Sequence, residues 1–314
     1  MIQKSFFKLS VIFALAYYVL TMVTSIVVAE ADYNFNMLLV YVGNGAIYSI
    51  SQLFFYFFVV TIICYRNKIY KVVGKNVAMV LIIALMAVIL QTVLGYAWFT
   101  IMVSLYDYDM FDILWVYIAI QIIYDVMNIA LVTIFIIFLF QLFKPMAEHE
   151  EQFEFNTTNV SRIYSVLFTS LLIAIFTFFA VYALSDYITL WYYNDEVTVI
   201  TVMLSLVIGI FINIFFIYFS VRRCFTQIYA TLQVAKIIKS VVITILILIG
   251  VSILFGVVMG ALGMMLLSDS DWGALIIFML VTMVLAVIVN YVSLFLSSRF
   301  AVRRYFSSKI TTNE

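Results

Sequence analysis

Eight long apolar runs recur along the sequence, and together they contain a single charged side chain. The runs cover residues 9–29, 37–64, 77–105, 113–143, 163–185, 197–221, 240–267 and 273–298. A helix needs about 20 apolar residues to cross a bilayer, whereas a membrane β-strand needs about ten residues of alternating polarity. Because every run is longer than such a strand and apolar on all faces, the pattern predicts eight transmembrane helices.

The composition indicates the same environment. Hydrophobic residues make up 67% of the 314 residues and charged residues 10%, against about half and a quarter in soluble domains. We therefore predict an all-α, polytopic integral membrane protein in contact with the lipid bilayer, with no nucleic-acid partner. The first run is expected to be a span and not a cleaved signal peptide, since its roughly 21 apolar residues exceed the about 7–15 of a signal sequence.

The basic residues predict the orientation of the helices. All 16 lysines and arginines lie in residues 1–8, 65–76, 144–162, 222–239 and 299–314, while the loops between these segments carry acids and no basic residue. Basic loops stay on the cytoplasmic side of a membrane. Both termini are therefore predicted to be cytoplasmic. The charge segregation and the absence of a disulfide framework favour a bacterial inner membrane.

Similar segments recur in order at shifts of 154 to 162 residues, which indicates a duplication. Ala31-Asp32-Tyr33 matches Ser185-Asp186-Tyr187, and Asn128 matches Asn290. Four spans per copy would give both copies the same orientation. The sequence thus predicts two parallel four-helix repeats (4+4): residues 1–143 with helices 1–4 and 163–306 with helices 5–8, joined by a cytoplasmic linker at 144–162 and followed by a tail at 307–314.

The one charge within the runs is Asp125, near the centre of the fourth. An ionised aspartate at that depth costs about 2.5–3.5 kcal/mol on insertion scales, and no lysine, arginine or histidine lies in any run to pair with it. Gln121 and Asn128 share its helix face. The candidate intramembrane polar site comprises Asp125, Gln121, Asn128, Asn290, Gln52 and Asn213, with Gln91 as a further polar group. The alternative is that these groups form helix-packing hydrogen bonds, worth about 0.6 kcal/mol each.

Two further features have competing interpretations. The outer loops carry pairs of acids beside aromatic residues, which could form an acidic mouth for cations or simply the wet rim of an aromatic belt. These acids are Asp107, Asp109, Asp269 and Asp271. Gly256 and Gly260 form a small-xxx-small pair that predicts close helix packing.

The chain lacks the motifs and residue clusters that would indicate an enzyme. Its only histidine, His149, stands in the linker between two glutamates, and the two cysteines, Cys64 and Cys224, lie far apart at helix ends. No segment matches a phosphate-binding loop, a zinc-binding helix or a serine nucleophile motif. We therefore expect no metal, no cofactor and no enzymatic activity.

Two functions remain open from the sequence. The first is a transporter or channel that moves an ion or a small or hydrophobic solute at the interface of two pseudo-symmetric halves. The second is a membrane-embedded protein that binds another membrane protein by helix–helix contact, as an assembly factor, a sensor subunit or a toxin-immunity protein. A requirement for Asp125 in pH-dependent flux would favour the first, and a stoichiometric membrane partner the second.

Overall fold

A computed structural model describes residues 6–30, 35–106, 114–150, 153, 155–192, 196–226, 229, 231–267 and 272–306. Within those ranges the chain is all-helical, with 90% of the described residues in helices and no strand among them. The helices are α1 (Lys8–Glu30), α2 (Phe35–Asn67), α3 (Gly74–Tyr106), α4 (Leu114–Phe143), α5 (Thr157–Tyr192), α6 (Glu196–Arg222), α7 (Val234–Leu267) and α8 (Trp272–Phe306), with a short 3₁₀ turn (Lys144–Met146) after α4.

Each predicted apolar run forms one helix, so the prediction of an all-helical fold with one helix for each run is confirmed. Seven of the helices contain a stretch long and apolar enough to cross a membrane, and α6 contributes a shorter apolar stretch, Val207–Arg222, among the residues with described side chains. Such a set of helices defines a multi-pass membrane protein in contact with lipid. The 4+4 repeat and the side on which the termini lie stay predictions.

The chain divides into two compact units. Unit 1 comprises residues 1–153 and 170–210, and unit 2 comprises residues 154–169 and 211–314. The boundaries fall inside α5 and α6, so each of these helices contributes one part to each unit. In unit 1, α1 packs against α2 and α3, and α4 packs against α3 and α2. In unit 2, α7 packs against α8.

Helix α2 ends in a left-handed residue that directs the chain toward α3. Lys68 has φ 57°, a conformation more common for glycine. The amide of Ile69 donates to the Cys64 carbonyl at 2.9 Å and that of Lys68 to the Tyr65 carbonyl at 3.2 Å. These two bonds form the helix-terminating Schellman pattern, which satisfies carbonyls that the last turn leaves open. The Lys68 carbonyl then accepts from the Glu150 amide at 2.9 Å.

The end of unit 1 that carries Lys71, Lys75 and Lys144, termed the basic end below, holds the first part of the linker in place. Asn76 is fully buried there and makes three bonds. Its amide nitrogen donates to the carbonyls of Lys71 (2.9 Å) and Glu148 (3.0 Å), and its oxygen accepts from the Glu148 amide (2.9 Å). The linker is thus bound to the start of α3 by a buried side chain.

Aromatic rings surround the same part of the linker. Phe153 lies 4.7 Å from the ring centroid of Phe6 and 6.0 Å from that of Tyr70. The Tyr70 hydroxyl donates to the Tyr65 carbonyl at 2.9 Å. Burial, with a smaller contribution from Tyr65, raises the pKa of Tyr70, so this phenol stays protonated and keeps that bond at physiological pH. His149, which the sequence placed in the linker, has an exposed ring whose Nδ1 lies 2.9 Å from the Asn67 carbonyl.

Unit 2 is organised around an aromatic cluster. The buried ring of Tyr164 on α5 meets Phe306 at 5.1 Å and Phe225 at 5.5 Å, and Phe225 meets Phe306 at 4.9 Å. The Tyr164 hydroxyl accepts from the Gln233 amide at 2.9 Å, just before α7 begins. One side chain thereby ties α5 to the start of α7 and the end of α8.

Candidate functional site

Asp125 on α4 carries a buried carboxyl that is in contact with a polar side chain one turn away on the same helix. Asp125 is only 7% exposed, and the amide nitrogen of Gln121 donates to its Oδ2 at 3.5 Å. The predicted shared face of Gln121 and Asp125 is therefore present in the structure. Asn128, 5% exposed, donates to the hydroxyl of Tyr124 at 3.3 Å. The Tyr124 phenol is also close enough to Asp125 to interact with its charge.

Helix α3 supplies an aromatic residue that the sequence analysis missed. The indole nitrogen of Trp98 donates to Gln121 Oε1 at 3.1 Å. The Trp98 ring stacks on Tyr124, with centroids 4.4 Å apart and an interplanar angle of 7°. Gly95 faces the phenol, since a Cβ at that position would lie 3.8 Å from the Tyr124 hydroxyl, an ordinary van der Waals contact. Trp98, Gln121, Tyr124, Asp125 and Asn128 together form what we term the carboxyl site.

A second polar cluster joins α1, α2 and α3. The Tyr17 hydroxyl donates to Gln91 Oε1, and Gln91 Nε2 donates to Gln52 Oε1 at 3.1 Å. Gln52 is 1% exposed, and the fully buried ring of Tyr56 packs edge to face against Tyr17 at 4.6 Å. We term Tyr17, Gln52, Tyr56 and Gln91 the glutamine layer. Both amides were noted in the sequence, but their tyrosine partners were not.

The two clusters lie at neighbouring depths. Helices α3 and α4 run antiparallel, because Trp98 contacts Gln121 while the earlier Gly95 faces the later Tyr124. Continuing that pairing by one turn places Gln91 of the glutamine layer at the depth of Asn128 in the carboxyl site. On α3 itself, Gln91, Gly95 and Trp98 share one face because they are spaced by four and three residues. Helix α3 is thus the element common to both clusters.

The remaining predicted site residues lie elsewhere or outside the described ranges. Asn213 on α6 and Asn290 on α8 belong to unit 2, and Asn290 is exposed. Their participation with Asp125 stays a prediction. The four acids of the proposed outer mouth, Asp107, Asp109, Asp269 and Asp271, fall outside the described residues.

The glycine pair of α7 has an open surface in unit 2. A Cβ added at Gly256 or Gly260 would meet no heavy atom within 4 Å among the described residues. Close packing of another helix on this pair stays a prediction.

The chemistry available at the carboxyl site is that of a hydrogen-bonded acid. Its side chains offer a carboxyl, amides, a phenol and an indole, and none of the five is basic. Nowhere in the described part of the chain do three histidine, cysteine, aspartate or glutamate side chains form a group that could hold a metal ion. A carboxyl in such surroundings can be held neutral by a proton or neutralised by a small cation.

The fold and the buried acid define a multi-pass, all-helical membrane protein with a polar site inside its first unit. Comparisons with protein-family models, characterised proteins and solved structures found no match to this chain. Functional inference therefore starts from the geometry of the site.

Proposed function

We propose that this protein is a non-enzymatic membrane transporter or channel that binds a proton or small cation at Asp125 while moving an ion or small solute. The observation that carries the proposal is the burial of a single carboxyl among hydrogen-bonding, non-basic side chains in a membrane-spanning helix. Intramembrane carboxyls of this kind mark ion or proton pathways in many membrane proteins.

The surroundings of Asp125 support proton or cation binding more than a structural ion pair. The titratable group nearest to it on α4 is Tyr124, while Trp98 on α3 is not titratable. Glutamine and asparagine oxygens can accept from a hydronium or coordinate a cation. The amide nitrogen of Gln121 also donates to the Asp125 carboxyl. The site can therefore stabilise both the loaded and the empty state of the acid.

The proposal includes the placement of the protein. We propose that the basic segments, with both termini, face the cytoplasm of a bacterial inner membrane, and that two four-helix repeats form pseudo-symmetric halves. The charge segregation along the sequence supports the first part. The ordered shifts of 154 to 162 residues support the second.

A flux assay tests the proposed function directly. The purified protein is reconstituted into liposomes with a trapped pH-sensitive dye, and a pH gradient is imposed while the membrane potential is clamped. We expect the gradient to dissipate faster than in protein-free liposomes, either alone or with an added ion or solute from a test panel. Flux equal to that of protein-free liposomes under every condition would contradict the proposal.

One feature of unit 2 favours a second candidate function, the binding of another membrane protein. Gly256 and Gly260 present an open small-residue surface on α7, and the amide of Asn290 is exposed on α8. Small residues allow helices to approach closely in lipid, and amides form hydrogen bonds between helices. A partner helix that packs on α7 at the glycine pair would use the first feature, and one that packs on α8 beside Asn290 would use the second.

Affinity capture from detergent-solubilised native membranes tests the second candidate. A partner that docks on the glycine pair should be recovered in stoichiometric amount with the parent protein and lost with Gly256→Leu and Gly260→Leu together. The matched control is Gly250→Leu, which fills an equally open position on another face of α7. A chain that purifies alone and is fully active in liposomes would exclude this candidate.

A further inference from the structure

The half of unit 1 between the glutamine layer and the basic end is packed mainly with apolar side chains from four helices. Its buried polar side chains include Ser10 and Thr61, and the Thr61 hydroxyl donates to the Phe57 carbonyl of its own helix. Phe13 and Val60 lie one turn nearer the basic end than Tyr17 and Tyr56, and both are fully buried. Helices α3 and α4 contribute side chains of the same kind at that depth and one turn nearer the basic end. The apolar plug, as we term this set, comprises Phe13, Val60, Ile83, Ala84, Ala87 and Ile136, each with no exposed surface.

The plug is thick enough to exclude water. On α3, apolar burial continues from Ala87 to Val80, which spans about 10 Å at 1.5 Å per residue. Protein interiors are close-packed and leave few voids as large as a water molecule. Apolar constrictions also block ions, because water withdraws from them and an ion would have to cross without its hydration shell. Neither a cation nor a chain of water molecules can pass such a layer while it stays packed.

The other side of the glutamine layer is more polar. On α1, Thr21, Thr24 and Ser25 follow Tyr17 within eight residues, and each hydroxyl donates to a carbonyl of its own helix. Thr24 and Ser25 are partly exposed. A hydroxyl that donates to its own helix keeps lone pairs for water. This end of α1 can therefore line a hydrated path.

One buried acceptor in the carboxyl site also points to water. Asn128 Oδ1 is buried and accepts no hydrogen bond from the described residues. Unpaired buried polar atoms are costly and are usually satisfied by internal water. Asn128 lies one turn from Asp125 and at the depth of Gln91, so a water bound to it would lie between the two polar clusters.

We propose that water reaches Asp125 only from the end of unit 1 opposite the basic end, and that the apolar plug closes the route from the basic end. The role of Asp125 in this inference rests on the proposed function, whereas the one-sided access rests on packing alone. Transport then requires a second conformation in which the plug side chains separate. The structure corresponds to the state that loads or unloads the carboxyl from the non-basic side.

Cysteine accessibility measured separately from each face of the membrane tests the inference. The background protein carries Cys64→Ala and Cys224→Ala, and single reporters are Thr21→Cys beyond the glutamine layer, Asn128→Cys at the site and Ala84→Cys in the plug. The probe is silver ion, which is small, charged and carried only by water. A cysteine placed at Lys71, at the basic end, shows from which side of the membrane the added silver ion reaches that end.

We expect Thr21→Cys and Asn128→Cys to react from the non-basic face at rates at least about tenfold above those from the basic face, where tenfold corresponds to about 1.4 kcal/mol of barrier. Ala84→Cys should react from neither face. Reaction of Asn128→Cys from the basic face, its failure to react from either face, or ready reaction of Ala84→Cys would each overturn the inference.

A second variant keeps the test decisive if a reporter folds poorly. Phe13→Ala removes a ring from the plug and should allow silver ion to reach Asn128→Cys from the basic face. The matched control, Phe7→Ala, removes a partly exposed ring six residues before Phe13 in the sequence, closer to the basic end. One-sided labelling without any flux would refute the proposed function alone, while Asp125-dependent flux with two-sided labelling would refute this inference alone.

Discussion

Replacing Asp125 with asparagine is expected to remove most of the pH-dependent flux while the protein stays folded and inserted. Asparagine has the same shape, and its oxygen can still accept from Gln121, so the packing of α4 is kept. It cannot take up or release a proton near neutral pH. Groups that transfer protons typically contribute a hundredfold or more to rates, so we expect flux to fall by roughly a hundredfold in the proteoliposome assay.

Two comparison variants make the Asp125→Asn result specific. Asp125→Glu keeps a carboxyl but moves it by one methylene, so partial flux with a shifted pH dependence is expected. Glu148→Gln removes a carboxyl from the linker, where the side chain is 39% exposed, and should leave the flux unchanged. Unaltered flux in Asp125→Asn, with the protein correctly inserted, would show that the carboxyl is only a packing group.

The second large effect is expected at the basic end, in the Asn76→Ala protein. The change removes three hydrogen bonds and leaves the Glu148 amide and two carbonyls, all partly buried, without their partner. Leaving buried polar groups unsatisfied costs about 1–3 kcal/mol each. We expect a loss of about 3 kcal/mol in the free energy of unfolding, measured by detergent-induced unfolding, and faster proteolysis of the chain between residues 144 and 153.

The exposed ion pair beside Asn76 gives the matched control. Lys71 Nζ lies 3.3 Å from Glu148 Oε2, and the two side chains are 54% and 39% exposed. Exposed pairs contribute about 0–1 kcal/mol. Lys71→Ala should therefore change the unfolding free energy by less than about 1 kcal/mol and leave proteolysis of the linker as in the parent. Equal effects of the two variants would mean that Asn76 does not hold the linker.

The helices could be predicted from the sequence because length and hydrophobicity decide whether a segment crosses a bilayer. Eight uninterrupted runs leave little choice of element, and every run formed a helix. The pairing of Gln121 with Asp125 was also predictable, since a spacing of four residues sets it within one helix. Local chemistry therefore accounts for the fold class and for one contact of the site.

The contacts between helices could not be predicted in the same way. Trp98 joins Gln121 and Tyr124 only because α3 packs against α4 in one register, and apolar helices offer many registers of similar hydrophobicity. The spacing of Gln91, Gly95 and Trp98 along one face of α3 was a visible signal that such a face existed. Asn76 gave a weaker signal, since a lone amide among basic residues resembles an ordinary solvated loop.

The course of the chain through the units has a consequence for biosynthesis. Unit 1 includes residues 170–210 as well as 1–153, so its last segment is translated only after residues 154–169, which belong to unit 2. The Ser51 hydroxyl, for example, donates at 2.9 Å to the carbonyl of Ala174, which leaves the ribosome more than a hundred residues later. The first four helices are therefore inserted into the bilayer first. They lack part of their packing contacts until α5 and the beginning of α6 have been inserted.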